Sequence, residues 1–128
     1  MTKTKVQKWK DEIVGYRKQC QNILKVSKNI RYAGVINIFG RTLAGLIQPD
    51  VKPLIQSQDV KNEFFTISTL ISMRNKTSKD VGKLEHVILQ HKKVTIVILQ
   101  KDKMTYYVSI DKKEKDLEKI ISSIKKTI

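Results

Sequence analysis

Gly40 and Gly45 are the first residues whose type and spacing suggest chemistry, because glycine-rich turns can hold phosphate groups on their backbone N–H groups. A phosphate-binding loop also needs a Lys followed by Ser or Thr at the start of a helix. Here Gly45 is followed by Leu46 and Ile47, inside a run that is typical of a strand. We therefore predict a hairpin turn at Gly40 and no nucleotide-binding loop.

Metal ligands and nucleophiles are scarce. The chain has two histidines, His86 and His91, which fall on opposite sides of a predicted turn, and a single cysteine. A zinc site needs several such ligands that converge, so we predict no metal site. The thiol of Cys20 falls on the apolar stripe of a predicted helix, where we expect a small buried side chain rather than a nucleophile.

The carboxylates show no arrangement for acid–base catalysis. The 12 Asp and Glu residues are scattered near predicted turns and helix ends, and only Glu85 and Asp102 fall within the meander of the last three predicted strands and their turns. Proton transfer needs carboxylates positioned at a reacting group, and no spacing in the sequence pairs them for that purpose. We predict that the protein is not an enzyme, has no catalytic residues and requires no cofactor.

Net charge is the one extreme property of the composition. The 128 residues carry 26 Lys and Arg against 12 Asp and Glu, which gives +14. Residues 1–31 hold 9 bases and 2 acids, or +7, which is half of the excess. Such a charge favours an anionic partner: nucleic acid, an acidic membrane surface or an acidic protein. A general use of lysine for solubility also explains the charge, and the sequence leaves both explanations open.

The bases of the N-terminal segment share one sector of a helix. At about 100° per residue they occupy roughly a third of the circumference. The candidate polyanion-binding residues are Lys3, Lys10, Arg17, Lys18, Lys25 and Lys28. The chain has four Arg and no motif that recognises nucleotide sequence, so any nucleic-acid binding is predicted to be non-specific. We expect Trp9 and Tyr16 to pack on a sheet, which argues against a membrane-bound helix.

Hydrophobic periodicity predicts the elements that position these residues. An apolar stripe with alternating spacings of three and four, from Val6 to Ile23, predicts a long basic helix over about 4–28. Later segments predict strands over 32–38 and 43–47, a helix over 59–75, strands over 83–90, 94–100 and 104–110, and a final helix. Asp111 and Glu114 have the spacing of a capping box for that last helix. Ser57 or Asp59 is the candidate N-cap of the helix over 59–75.

The predicted middle helix is apolar on most sides. One stripe seats it on the sheet, but further large apolar side chains project from other directions, and a helix of this kind is usually buried on more than one side. The predicted third strand is also apolar and lacks the prolines and charges that protect a sheet edge. We predict a two-fold homodimer in which both elements meet their copies. The candidate interface residues are Phe65, Leu70, Met73, Val87 and Leu89.

The element order α-β-β-α-β-β-β-α predicts an α+β three-layer sandwich. Its five-stranded antiparallel sheet would place the first strand between the second and the fifth, with the third at an edge. The two terminal helices would cover one face and the middle helix the other. We expect one domain over residues 1–128. We also expect no transmembrane segment and a cytoplasmic location, given the short apolar runs and the lone thiol.

The segment Tyr32–Ala44, YAGVINIFGRTLA, resembles the opening hairpin of Roadblock domains of the dynein light chain type. The element order is similar over essentially the whole chain, and is shared with longin and profilin folds and partly with PAS-like domains. The resemblance implies a homodimer without a catalytic centre. It further implies a scaffold or regulator for a small Ras-like GTPase, or an adaptor in a motor or other complex. The alternative function is a non-specific nucleic-acid or polyanion-binding module that uses the basic N-terminal helix.

Overall fold

The computed structural model describes residues 2–128. In chain order the elements are α1 (Lys5–Val26), β1 (Ile30–Ile36), β2 (Thr42–Ile47), α2 (Ser57–Lys76), α3 (Ser78–Val81), β3 (Val87–Gln90), β4 (Val94–Lys101), β5 (Met104–Asp111) and α4 (Leu117–Thr127). The predicted order of helices and strands is confirmed, with the single-turn helix α3 as an addition.

The five strands form one antiparallel sheet in the order β2-β1-β5-β4-β3. β1 lies between β2 and β5, and β3 lies at an edge, as predicted. The β4–β5 connection is a two-residue turn in which Asp102 and Lys103 both have positive φ. That conformation matches the twist of the flanking strands, which explains so short a link.

Each face of the sheet has its own hydrophobic core, as the three-layer arrangement predicted. On one face Cys20 and Ile23 of α1 pack with Ile121 and Ile124 of α4. On the other face the core is built around α2. Its buried members are Ile36, Phe64, Ile67, Ile71, Val94, Ile96, Ile98 and Tyr107.

Gly34 and Gly45 pair across β1 and β2 because Tyr32 needs the space above them. A Cβ atom on either glycine would come within 2.5 Å of the Tyr32 hydroxyl oxygen. The Tyr32 ring also makes an edge-on contact with Tyr107, with ring centroids 6.1 Å apart. Gly45 is therefore a packing residue within a strand, in agreement with the hairpin interpretation of this segment.

Two of the predicted helix caps are wrong. α4 begins at Asp116, whose side chain accepts a hydrogen bond from the Lys119 N–H, whereas Asp111 is the last residue of β5. Glu114 does not cap α4: its carboxylate accepts hydrogen bonds from the Ser27 hydroxyl and the Asn29 amide. It thereby ties the end of α1 to the loop before α4. Similarly, α2 begins after Gln56 without a side-chain cap, although Ser57 and Asp59 were candidates.

Strand boundaries also differ from the prediction. β1 runs two residues earlier than expected because Asn37 ends it: the Asn37 side-chain oxygen accepts hydrogen bonds from the N–H groups of Phe39 and Arg41. β3 covers only the last four residues of its predicted range. The chain before it forms α3 and then leaves the helix at Gly82, which has φ of 88°.

Candidate protein-interaction surfaces

The exposed residues on the outward side of α2 carry no charge over three turns and include three large apolar side chains. The exposed residues between positions 62 and 73 are Asn62, Phe65, Thr66, Thr69, Leu70, Ser72 and Met73. Phe65 is 64% exposed and Met73 59%. In a protein in which 30% of residues are charged, a solvent-facing stretch of this length without a charge makes this side of α2 a candidate interaction surface.

The threonine hydroxyls of this helix face are hydrogen-bonded within the helix. The Thr66 hydroxyl donates to the Asn62 carbonyl oxygen, and the Thr69 hydroxyl donates to the Phe65 carbonyl oxygen. Each hydroxyl thus has a partner without any second protein. The surface can therefore be covered without leaving these polar groups unsatisfied.

The β1–β2 turn extends the same surface. Gly40 has φ of 79°, and a Cβ atom there would lie 2.7 Å from the Phe65 Cα atom, so the turn rests on the α2 backbone. The Ser68 hydroxyl donates to the Asn37 carbonyl oxygen and fixes this contact. Phe39, next to Gly40, is 69% exposed. We refer to Phe39, Phe65, Leu70 and Met73 together as the α2 surface.

Phe39 is a candidate that the sequence analysis missed. Its position beside the turn glycine indicated a hairpin, and nothing in the periodicity connects that hairpin with α2. A signal was nevertheless present, since a large aromatic residue at an exposed hairpin tip is unusual where turns favour small polar residues.

The predicted interface residues of β3 are less exposed than those of α2. Val87 and Leu89 are partly buried and pack on the core beneath α2, whereas Ile88 between them is exposed. β3 pairs with β4, and within residues 2–128 no strand pairs with its other edge. What β3 offers to a partner is therefore mainly its backbone edge, with the Ile88 side chain beside it.

An apolar cleft of about 440 Å³ lies beside the start of α2, lined by Tyr32, Phe64 and Tyr107 among others. The Tyr107 hydroxyl donates to Glu63 Oε1 at 3.2 Å. Burial, together with that carboxylate, raises the pKa of Tyr107 far above its ordinary value, and burial raises the pKa of Tyr32 to about 12. Both phenols therefore stay protonated near neutral pH and cannot act there as bases.

An open polar groove of about 990 Å³ lies between the end of α2 and the last turn of α4, and His86 is its one imidazole. The His86 Nδ1 atom is buried without a hydrogen-bond partner in the described structure. Over residues 2–128 no three His, Cys, Asp or Glu side chains come together as metal ligands. In the same range no helix has the length and apolar character to cross a membrane.

The predicted polyanion-binding residues are all exposed along the α1 side of the molecule. Lys3 forms an ion pair with Asp11, while the others have no acidic partner in the described range. The lysines at the hairpin tips do not form one cluster with each other. Lys92 and Lys93 precede β4 and Lys103 follows it, so they lie at opposite ends of a strand about 26 Å long.

The expectation that Trp9 packs on the sheet is wrong. Trp9 is 57% exposed and Val6 61%, although both lie on the stripe that buries Cys20 and Ile23 further along α1. Tyr16 does pack against the core. The sheet thus covers only the C-terminal half of α1, because the helix is longer than the strands beneath it.

No protein-family model matches this sequence, and no curated protein matches it. Solved structures do match its fold. The Roadblock/LC7 domain from Streptomyces avermitilis has a TM-score of 0.66 at 8% identity, covering 87% of this chain and 89% of that chain. MglB from Myxococcus xanthus has a TM-score of 0.69 at 14% sequence identity, and the match covers 88% of this chain and 88% of that chain. A structure of MglB with a tetrameric arrangement has a TM-score of 0.71 at 14% sequence identity, and the match covers 91% of this chain and 82% of that chain.

These similarities confirm the resemblance to Roadblock domains at the level of the fold. Each of the three matches covers at least 82% of this chain and at least 82% of the other chain, so the likeness extends over the whole sandwich. Because one fold can carry many functions, the function must be argued from the surfaces of this chain.

Proposed function

We propose that this protein is a non-enzymatic homodimeric scaffold or regulator, which self-associates through the α2 surface and the open edge of β3. The observation that carries the proposal is the uncharged, apolar outer side of α2 in a chain of net charge +14. Two copies can meet there without opposing like charges, which most of the remaining surface would force on them. Burial of the large side chains then drives association.

Self-assembly is compatible with this fold. One of its structural neighbours is MglB with a tetrameric arrangement. In the dimer we propose, edge-to-edge pairing of β3 with its copy would satisfy the backbone groups of both edges. The resulting joined sheet and the paired α2 helices would present a composite surface, which no single copy has.

The partner that we propose for this composite surface is another protein, with a small Ras-like GTPase as the first candidate. The Roadblock resemblance implies such a partner, and the fold neighbours support the resemblance.

Analytical ultracentrifugation at micromolar concentration tests the dimer. We expect a dimer for the wild type and a monomer for Phe65→Asp, because the substitution places a carboxylate in the apolar contact. Val14→Asp is the matched control: Val14 is 65% exposed on α1, on the opposite face of the sheet, and carries the same change of charge. A monomeric wild type, or equal dissociation of both variants, would reject the proposal.

Polyanion binding through α1 is the second candidate function. It is supported by the exposure of Lys10, Arg17, Lys18, Lys25 and Lys28 without acidic partners in residues 2–128. We expect RNA binding in a gel-shift titration at low salt to weaken steeply as salt is added. Reversing the charges of Lys3, Lys10, Arg17 and Lys25 should abolish this binding and leave the dimer intact. Absence of binding at low salt removes this candidate.

A further inference from the structure

The N-terminal half of α1 extends beyond the sheet. α1 has 22 residues and spans about 33 Å, whereas the 7 residues of β1 beneath it span about 23 Å. The helix leaves the sheet near Tyr16, which packs against the core cluster that contains Tyr106 of β5. Before that point the sequence from Lys5 to Gly15 forms an overhang of about 16 Å.

The N-terminus of α1, where the overhang begins, is capped. Thr4 accepts a hydrogen bond from the Gln7 N–H, and the Gln7 side chain accepts one from the Thr4 N–H. This reciprocal capping box satisfies two of the N–H groups at the beginning of the helix. α1 is therefore helical to its first turn, even though no sheet supports that part.

The underside of the overhang is apolar. Val6, Trp9 and Ile13 continue the stripe that further along buries Cys20 and Ile23 against the sheet. Side chains of one helical stripe point in the same direction. Val6, Trp9 and Ile13 therefore point the same way as Cys20 and Ile23, but into the space beyond the end of the sheet. A second helix can pack against α1 there at about 8–10 Å between the two helix axes, the usual separation of packed helices.

The shape of this space limits its occupant. A lipid bilayer is flat, so the end of the sheet would keep it away from the underside of the overhang. A second copy is disfavoured by charge, because residues 3–18 contain six bases and two acids and two such segments would repel each other. Lys10 and Arg17 border the stripe on one side, and Lys5 and Glu12 on the other.

We propose that the underside of the α1 overhang binds an acidic amphipathic helix of a partner protein. The apolar side of that helix would cover Val6, Trp9 and Ile13, and its carboxylates would face Lys10 and Arg17. Alternating spacings of three and four along the stripe suit knobs-into-holes packing of two helices. This binding surface lies on the face of the sheet opposite the α2 surface, so it leaves self-association free to occur.

Trp9 provides the measurement, because it is the only tryptophan of the chain. The probe is a synthetic helical peptide of about three heptads with apolar a and d positions and Glu beside them. We expect a blue shift of Trp9 fluorescence that saturates with peptide, and no shift with a peptide of the same composition in scrambled order. An unchanged emission up to about 1 mM of the helical peptide overturns the proposal.

Two valine variants distinguish apolar docking of the peptide on the stripe from general electrostatic attraction to the basic helix. Val6→Asp lies on the stripe and Val14→Asp lies off it, and both valines are similarly exposed. We expect Val6→Asp to weaken peptide binding about tenfold or more through loss of apolar contact, and Val14→Asp to weaken it about twofold. Equal weakening would mean attraction by charge alone and would overturn the proposal.

Two further probes test the other occupants. Vesicles of phosphatidylglycerol and single-stranded RNA are titrated against the same wild-type protein. A Trp9 blue shift with vesicles or RNA that is larger than the shift with the helical peptide overturns the proposal in favour of that ligand. Sedimentation of Val6→Asp without ligand separates loss of peptide binding from loss of the dimer: we expect this variant to stay dimeric, because Val6 lies outside the α2 surface.

Discussion

A Cβ atom added to Gly40 would lie 2.7 Å from the Cα atom of Phe65, so the β1–β2 turn touches the backbone of α2. This contact brings Phe39, from one end of a hairpin, to the outward side of a helix that begins 17 positions after Gly40. The α2 surface is thus assembled from two segments, and its geometry depends on a glycine.

Gly40→Ala should therefore destabilise the protein more than Gly82→Ala. Both glycines have positive φ, which costs an alanine about 1 kcal/mol, but only Gly40 adds a backbone clash worth about a further 1–3 kcal/mol. Urea unfolding of the two variants measures the difference. Equal losses would show that the turn does not rest on α2 as described.

Gly15→Ala should stabilise the protein. Gly15 lies within α1 where the helix leaves the sheet, and a Cβ atom there meets nothing within 4 Å. Alanine restores about 0.5–1 kcal/mol of helix stability at a site with open space. Thermal unfolding should show a higher Tm. A lower Tm would mean that a bend at Gly15 is part of the packed structure.

Glu114→Gln should weaken the protein at neutral pH and have less effect in acid. The Ser27 hydroxyl, with further donors at the loop, lowers the pKa of Glu114 below its ordinary value of 4.5. A lowered pKa in the folded state means stabilisation that is complete above that ordinary value and is lost as pH falls through the folded pKa. Urea unfolding of the wild type and of Glu114→Gln from about pH 7 to pH 3 should show the difference in their unfolding free energies shrinking as the pH falls. A difference in unfolding free energy that does not change with pH would contradict stabilisation of the ionised Glu114 carboxylate by these hydrogen bonds.

Cys20 should react with alkylating reagents only when the protein unfolds. Its side chain is fully buried, and burial raises the pKa of the thiol to about 11, so little reactive thiolate forms near neutral pH. Mass spectrometry after iodoacetamide treatment should show slow labelling in buffer and rapid labelling in denaturant. Fast labelling of the folded protein would mean that α1 detaches readily from the sheet.

The periodicity of the sequence was sufficient for the arrangement of layers. Apolar residues at helical spacing in α1, α2 and α4, and short apolar runs between turn residues, indicate which side of each element must be buried. Short connections such as Lys101–Lys103 require neighbouring antiparallel strands, which leaves few sheet orders. For these reasons the position of β1 between β2 and β5 followed from local signals.

The caps and the strand ends could not be predicted in the same way. Glu114 has the spacing of a capping residue, but its Oε1 atom accepts hydrogen bonds from the Ser27 hydroxyl and the Asn29 amide. Those partners are 85 or more positions away along the chain. A spacing rule considers only neighbours in sequence, so it cannot register a competing partner that folding brings close.

The sequence by itself determined that α1 has one apolar stripe, from Val6 to Ile23, and that the chain is strongly basic. Only the tertiary structure decided that the sheet covers Cys20 and Ile23 and leaves Val6 and Trp9 in solvent. The physical reason is length. A helical residue advances about 1.5 Å and a strand residue about 3.3 Å, so how far two packed elements overlap depends on where the folded strands begin and end.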